Sequence, residues 1–148
     1  MRRLIIYTDG GSLRNPGPGA IGIVFCNEKG EVFKKYSEYL GETTNNEAEY
    51  KAIIFSLRKI KQLFGKKLAK NLEVEIRTDS ELVVKQMRGE YKVLASEIQK
   101  LFLILWNLKL DFKKIKFKLI PREKNKVADS LVKEVLNSRG NQTPLAGL

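Results

Sequence analysis

Apolar residues in the first quarter of the chain follow a strand pattern. A short apolar run from Leu4 to Tyr7 predicts a buried strand, which ends at the turn-forming residues 8–11. Ala20 to Cys26 is apolar at both alternating sets of positions, which predicts a second strand that is covered on both faces. Residues 27–30 predict a hairpin turn, and Val32 to Leu40 is predicted as the third strand. We expect these three strands to form an antiparallel meander.

The apolar spacing then becomes helical. From Asn46 to Phe64 apolar residues recur every three or four positions, which predicts an amphipathic helix that ends at Gly65. The N-cap is expected among the polar residues just before or at its start. The remaining elements are predicted as a strand at 72–78, helices at 80–88 and 95–108, a strand at 115–119 and a helix at 125–137. This order predicts an α/β fold, a five-stranded mixed sheet of three antiparallel strands and then two parallel ones, with helices on both faces.

Length and composition favour one soluble domain. We expect a single domain over residues 1–138 and a disordered C-terminal tail over 139–148. No apolar run approaches the 18 residues of a membrane span, and no signal peptide is evident, so we expect a cytoplasmic protein without a membrane partner. A lone cysteine, Cys26, excludes an intrachain disulfide framework and is expected in the core.

Two features of the composition narrow the chemistry. The chain has no histidine, which excludes Ser-His-Asp and Cys-His catalysis and leaves oxygen ligands for any metal, hence Mg²⁺ or Mn²⁺. The net charge of +11 favours a polyanionic partner, nucleic acid first, although a lysine-rich surface also serves solubility.

The acidic residues must therefore carry any catalysis. Asp9 follows the first strand and Asp79 follows the fourth. A right-handed crossover through the long helix places these strands side by side and parallel, so both carboxylates are expected at one edge of the sheet. Each of them could instead merely begin a turn or cap a helix.

Three further acids lie in the first turns of helices. The helical phase of Glu49 directs it toward the sheet, whereas Glu47 is expected to be solvated and to favour the helix dipole. Asp129 begins the last helix, where it could serve the dipole alone. A group of three or four carboxylates repels itself unless cations neutralise it, and it suits two divalent ions that cleave a phosphodiester.

Four sequence blocks resemble ribonuclease H type 1 in order and spacing. They are YTDGGSLRNPGPGAIG at 7–22, TTNNEAEY at 43–50, TDSELVVKQMRGEYKV at 78–93 and PREKNKVADSL at 121–131. The resemblance implies an endonuclease that cleaves the RNA strand of RNA–DNA hybrids with two Mg²⁺ or Mn²⁺ ions, leaving 5′-phosphate and 3′-hydroxyl ends.

The resemblance also implies roles for individual residues. The four metal-binding, catalytic carboxylates would be Asp9, Glu49, Asp79 and Asp129. Residues similar to the family's substrate contacts are Gly10, Gly11, Ser12 and Asn15 on the RNA strand, Asn45 and Asn46 in the minor groove, and Thr44 at a DNA phosphate. Small residues and amides would let the protein reach the 2′-hydroxyls that distinguish RNA from DNA.

The chain departs from the family pattern at several places. Arg122 stands in the loop where many relatives carry a histidine, and Glu81 stands where many have glutamine. The basic, tryptophan-rich handle of some bacterial relatives is lacking, and Trp106 is expected to pack in the core. Residues 109–126 contain eight Lys or Arg against two acids, a run that could be simply a solvated strand and loop.

Two other functions remain open at this stage. A non-catalytic RNA- or hybrid-binding module could share the fold, as could a nuclease or strand-transfer enzyme acting on DNA. The complete carboxylate set argues against the first, and the RNA-contact segments argue against the second. We expect a monomer with an RNA–DNA hybrid as its partner and no obligate protein partner.

Overall fold

The computed structural model describes residues 2–138, which form five strands and four α-helices. The strands are β1 (Arg3–Ser12), β2 (Gly17–Cys26), β3 (Val32–Thr43), β4 (Glu73–Thr78) and β5 (Lys114–Leu119). The helices are α1 (Asn45–Lys70), α2 (Glu81–Met87), α3 (Ser96–Lys109) and α4 (Lys126–Asn137), with a short 3₁₀ turn at Arg122–Lys124. The predicted tail at 139–148 lies outside the described residues.

All five strands belong to one sheet, in the order β3-β2-β1-β4-β5. The β1–β2 and β2–β3 pairs are antiparallel, whereas β1–β4 and β4–β5 are parallel. The predicted mixed sheet is therefore confirmed, including the crossover that places β4 beside β1. Because these two strands are parallel, the residues that follow them emerge at the same edge of the sheet.

The main core lies between the sheet and the helices α1, α2 and α3. Buried side chains of β1 and β4, such as Leu4, Ile6 and Ile76, pack there against Ile53 and Leu57 of α1. On the opposite face, α4 packs against β1, β2 and β3. Helices therefore cover both faces, as the element order predicts.

Two glycines allow helices to approach the sheet closely. A Cβ at Gly10 would collide with the backbone of Ala48 in α1, and a Cβ at Gly22 would collide with the backbone of Ala128 in α4. Because α1 carries Glu49 and α4 carries Asp129, these close contacts place both acids near the edge of the sheet where Asp9 lies.

The helical conformation is interrupted at Gly65 as predicted, since φ is 84° there, although a second helical segment continues to Lys70. Two other expectations from the pattern are wrong in detail. Residues 8–11 do not form a turn after the first strand, because β1 pairs with β2 as far as Ser12 and Asp9 lies inside it. Trp106 is not a core residue, because its side chain is 40% exposed and stacks on Phe102. Cys26, in contrast, is buried as predicted.

None of the helices that the structure describes combines the length and the apolar character needed for crossing a bilayer.

Candidate active site

Three carboxylates meet at the edge where β1 and β4 end. Asp9 lies within β1, Asp79 directly follows β4, and Glu49 lies in the first turns of α1. One oxygen from each side chain lies within 4.8 Å of the other two. The sequence places these three acids on separate elements, and the fold brings them together.

The start of α1 separates the roles of its two glutamates. Glu47 forms a capping box with Thr44: its backbone N–H donates to the Thr44 hydroxyl at 3.2 Å, and its carboxylate accepts from the Thr44 N–H at 3.1 Å. The expectation that Glu47 is solvated is therefore wrong, because its side chain closes the helix end and is half-buried. Glu49, two residues on, turns toward Asp9 as its helical phase predicts.

Burial and mutual repulsion shift the pKa values of this cluster. Burial, and then the charges of Asp79 and Asp129, raise the pKa of Asp9 to about 7, against a smaller lowering by the Gly10 N–H. The pKa of Glu49 is raised well above its usual value by burial and by Asp9 and Asp79. Burial also raises the pKa of Asp79, although Arg122 opposes that shift. In the absence of bound cations, burial and mutual repulsion therefore favour the protonated form of these carboxyl groups.

Asp129 lies at the wall of the same cavity but outside the three-residue cluster. Its carboxylate accepts from the Lys133 ammonium at 2.9 Å, one turn along α4. Arg122 also lines the cavity, where its charge lowers the pKa values of both Glu49 and Asp79. The positive side chains of Lys133 and Arg122 therefore lie beside the acids but do not neutralise all of them.

The loop after β1 is tied to the start of α1 by side-chain amides. Asn45 accepts from the Ser12 N–H at 2.9 Å and from its hydroxyl at 3.3 Å, while the Asn45 N–H donates to the Asn15 side chain at 3.0 Å. Gly10 and Gly11 line the cavity beside Asn45, whereas Asn46 is exposed on α1. The structure thus places Gly10, Gly11, Ser12 and Asn45 at the wall of the cavity that holds the acids, while Asn15, Thr44 and Asn46 do not line that cavity.

The donor set fits a hard divalent cation. The cavity has a volume of about 750 Å³, and its acidic cluster offers only carboxylate oxygens, the ligands that such ions prefer. Within the described residues, Oε1 of Glu49 is buried and has no hydrogen-bond partner. An unpartnered buried carboxylate oxygen is costly, and a bound divalent metal ion removes that cost.

Two residues that support the site were not predicted from the sequence to do so. Lys133 lies four residues after Asp129, but such pairs are common on helix surfaces and do not by themselves indicate a site. Asn125 is the N-cap residue of α4, as the sequence predicts, but its side chain makes no capping hydrogen bond. The buried Asn125 side chain instead donates to the Thr8 carbonyl at 2.8 Å, and the Asn125 backbone carbonyl accepts from the Asp129 N–H at 3.1 Å. Asn125 thereby joins the strand that carries Asp9 to the helix that carries Asp129.

Known proteins share both the sequence pattern and this fold. A family model described as reverse transcriptase-like matches residues 7–135. The chain is 32% identical over 137 residues to a bifunctional protein of Mycobacterium tuberculosis and 33% identical over 135 residues to ribonuclease HI of Halobacterium salinarum. These matches cover 92% and 91% of the chain, but only 36% and 65% of the respective relatives.

Solved structures extend the likeness to three dimensions. LC11 ribonuclease H1, crystallised in complex with an RNA/DNA hybrid, is 45% identical with a TM-score of 0.88, and the match covers 93% of this chain and 99% of that one. Ribonuclease H1 of Halobacterium salinarum is 32% identical with a TM-score of 0.84, over 92% of this chain and 98% of that one. The fold, the acidic edge and these likenesses agree, and the chain belongs to the type 1 ribonuclease H family.

Proposed function

We propose that this protein is an endoribonuclease that hydrolyses the RNA strand of RNA–DNA hybrids and leaves 5′-phosphate and 3′-hydroxyl ends. The observation that carries the proposal is the cluster of Asp9, Glu49 and Asp79, with oxygens within 4.8 Å of one another and the Glu49 Oε1 unpartnered. Family membership supports it, as does the LC11 relative's complex with an RNA/DNA hybrid.

The cofactor we propose is a pair of Mg²⁺ ions, with Mn²⁺ able to substitute. Four carboxylates would hold these ions: Asp9, Glu49, Asp79 and Asp129. Asp129 would give up its ion pair with Lys133 to bind the metal. When bound, such ions activate a water and stabilise the leaving oxygen of a phosphodiester. The high pKa values of Asp9 and Glu49 mean that metal binding would release protons from these side chains.

The rim beside the acids would bind and orient the RNA strand. Ser12 holds the Asn45 carbonyl oxygen, which leaves the Asn45 amide hydrogens available for a 2′-hydroxyl or base oxygen. Gly11 would let the RNA backbone approach closely, Gly10 would offer its own backbone beside the acids, and Asn15 would contact the RNA strand through its side-chain amide. Beyond them, the exposed Asn46 would reach the minor groove, and the Thr44 hydroxyl would donate to a DNA phosphate.

Arg122 would act by its charge alone. A guanidinium does not exchange protons near neutral pH, so this side chain would steer the scissile phosphate toward the acids or help the cleaved phosphate leave. Its place in the wall of the cavity, where its charge opposes the rise in the pKa of Glu49 and of Asp79, supports this role.

The test compares end-labelled RNA–DNA hybrid, double-stranded DNA and double-stranded RNA, each incubated with Mg²⁺ and with EDTA. We expect metal-dependent internal cleavage of the hybrid's RNA strand, with a 5′-phosphate on the downstream fragment. Hybrid binding without cleavage would favour a binding module, and cleavage of double-stranded DNA would favour a DNA-acting enzyme of the same fold.

Salt dependence tests whether the positive charge serves this substrate. Each phosphate contact adds about one unit to the slope of log affinity against log salt, and a chain of net charge +11 should show several. Affinity for the hybrid that does not change with salt would contradict this use of the charge.

A further inference from the structure

The outer face of β5 carries a row of lysines that the proposed site does not use. Lys114, Lys116 and Lys118 are exposed, while the alternate residues Ile115 and Phe117 pack toward the core. We call these three lysines the lysine face. They lie on the side of the sheet that α4 covers, but α4 packs on β1, β2 and β3, away from this edge strand.

The neighbouring strand neutralises the lysine face only in part. In the parallel register of β4 and β5, Lys114 lies opposite Glu73, which offsets one of the three charges, whereas Lys116 and Lys118 lie opposite Glu75 and Arg77. Glu75 is already held by two cations, Arg3 at 2.7 Å and Arg77 at 2.6 Å. The charge of Glu75 is therefore compensated within the protein, and the three lysines exceed the one remaining acid of this register, Glu73, so the face keeps a net positive charge for a ligand.

The lysine face begins at the wall of the catalytic cavity. Leu119, which ends β5, lines that cavity, and Lys118 directly precedes it. Because a strand rises about 3.3 Å per residue, the lysines extend from there to about 16 Å from Leu119 at Lys114. Alternate residues stand about 7 Å apart, and the long flexible lysine stems can adapt to successive phosphates.

A second group of cations borders this surface. Arg77 donates to the Tyr7 hydroxyl at 2.7 Å, and Tyr7 lines a cavity of about 280 Å³ together with Lys124 and Lys126 at the start of α4. The two lysines outnumber the acid that lines the same cavity, Glu123, so positive charge flanks both sides of the open strip between β5 and α4.

The position of the lysines favours a single strand over a duplex. The cavity lies where β1, β4 and β5 end, whereas the lysines lie along β5 on the face of the sheet, and a stiff duplex seated in the cavity cannot turn onto that face within a few nucleotides. A single strand can. We propose that the lysine face binds the single-stranded nucleic acid that continues beyond the hybrid, by contacts to its phosphates. This inference rests on the proposed function, because the hybrid must occupy the neighbouring cavity.

A simpler role for these lysines is to guard the edge of the sheet. Charged residues on an edge strand prevent another strand from adding to it. If the lysines only protect the edge, replacing them should affect blunt and single-strand-extended hybrids equally. A comparison of the two substrates therefore distinguishes the two roles.

The test uses a short blunt hybrid and the same hybrid extended by a single strand at the 5′ or 3′ end of either the RNA or the DNA. We expect at least one extension to lower KM for the parent protein about tenfold, with kcat unchanged. Lys114→Gln/Lys116→Gln/Lys118→Gln should lose that gain while its KM for the blunt hybrid changes less than about twofold. Three lost single-strand contacts should also reduce the salt slope for the extended substrate by about two units.

A matched control removes the same charge elsewhere. Lys66, Lys67 and Lys70 are exposed near the end of α1, beyond the break at Gly65, and none of the three lines the catalytic cavity. Lys66→Gln/Lys67→Gln/Lys70→Gln should keep the full advantage of the extension. Thermal unfolding of both triple variants checks that each is folded.

The outcomes separate the two proposals. If the parent cleaves the blunt hybrid but no extension improves KM, or if the lysine-face variant keeps the improvement, the lysines only guard the edge. If the parent cleaves no hybrid, the proposed function fails. Fluorescence anisotropy with labelled single-stranded RNA and DNA then still tests the lysine face, since the variant must bind at least about fivefold more weakly than the parent and the control.

Discussion

Two buried carboxylates on the same sheet have opposite environments. Glu75 in β4 and Asp9 in β1 are 3% and 7% exposed. The protein supplies Glu75 with Arg3 and Arg77, which hold its pKa below the usual range despite burial. At Asp9 it supplies other acids instead, and the pKa is raised to about 7. The chain can pair a buried acid with arginines, so the uncompensated acids at Asp9 indicate a site for cations from solution.

The same contrast appears in the direction of pH dependence. A lowered pKa at Glu75 adds stability above the carboxyl's unfolded value, and that stability is lost as pH falls. A raised pKa at Asp9 does the reverse, because the folded state holds a proton that the unfolded chain has released. At neutral pH the ionised Glu75 therefore stabilises the fold, whereas Asp9 destabilises it. A metal ion bound at Asp9 would restore the stability lost there.

The largest expected effect is the loss of cleavage in Asp9→Asn or Asp79→Asn. Each change removes a ligand charge with almost no change in volume, and we expect kcat/KM to fall at least about a thousandfold, about 4 kcal/mol of transition-state stabilisation. Steady-state cleavage of the hybrid measures it. Near-normal turnover in either purified variant would contradict the assignment of these acids to metal.

Glu49→Gln and Glu47→Gln sharpen the comparison within one helix turn. Glu49→Gln should lower kcat/KM by about a hundredfold or more, because it removes a charge from the cluster. Glu47→Gln should instead cost at most about 1 kcal/mol of stability, since an amide oxygen can still accept from the Thr44 N–H. Rates at saturating Mg²⁺ and thermal unfolding distinguish the two. A larger activity loss from Glu47→Gln would show that the helix phase is misassigned.

Glu75→Gln and Asp9→Asn should change stability in opposite directions. Glu75→Gln leaves two arginines without their anion and should lower the free energy of unfolding by about 1–3 kcal/mol, a range reduced because Arg3 is half exposed. Asp9→Asn relieves repulsion and should raise the stability of the metal-free protein by up to about 2 kcal/mol at neutral pH. Urea unfolding in EDTA measures both. Destabilisation by both changes would remove the contrast between the two acids.

The smallest effect is expected at Arg122. Arg122→Ala should lower kcat/KM about tenfold, about 1.4 kcal/mol, and Arg122→Lys should restore part of that activity because the charge survives without the fork geometry. The comparison is made across salt and pH. Full activity of Arg122→Ala under all these conditions would show that the loop takes no part in the reaction.

The sequence predicts the sheet and the acidic edge because both follow from local patterns. Alternation and helical spacing determine the element order, and the parallel pairing of β1 with β4 brings Asp9 beside Asp79. The apolar spacing could not show how much of each helix is covered by other elements. Leu105 is buried, but the adjacent Trp106 in the same helix is 40% exposed. Periodicity shows which residues share a helix face, but it does not show whether another element packs on that face.

Side-chain partnerships were the least predictable part of the site. The polar stretch before α1 indicated a cap, but only the structure selects Thr44 and pairs it with Glu47. The bond from Asn125 to the Thr8 carbonyl joins residues 117 positions apart, which no local pattern encodes. The pattern predicts the interruption at Gly65 but not the second helical segment beyond it, where Ala69 alone of residues 66–70 is buried.

The most direct test of the central claim, that the uncompensated acids form a divalent-cation site, is the stability of the protein against pH with and without Mg²⁺. Asp9 has an unfolded value of 3.8 and a folded pKa of about 7. The metal-free protein should therefore lose up to about 4 kcal/mol of stability from this group as pH rises between those values. Mg²⁺ should restore stability at about pH 8 and have little effect at about pH 5, where protons compete for the carboxylates. A stability profile that Mg²⁺ leaves unchanged at every pH, or that shifts equally in Asp9→Asn, would contradict the claim.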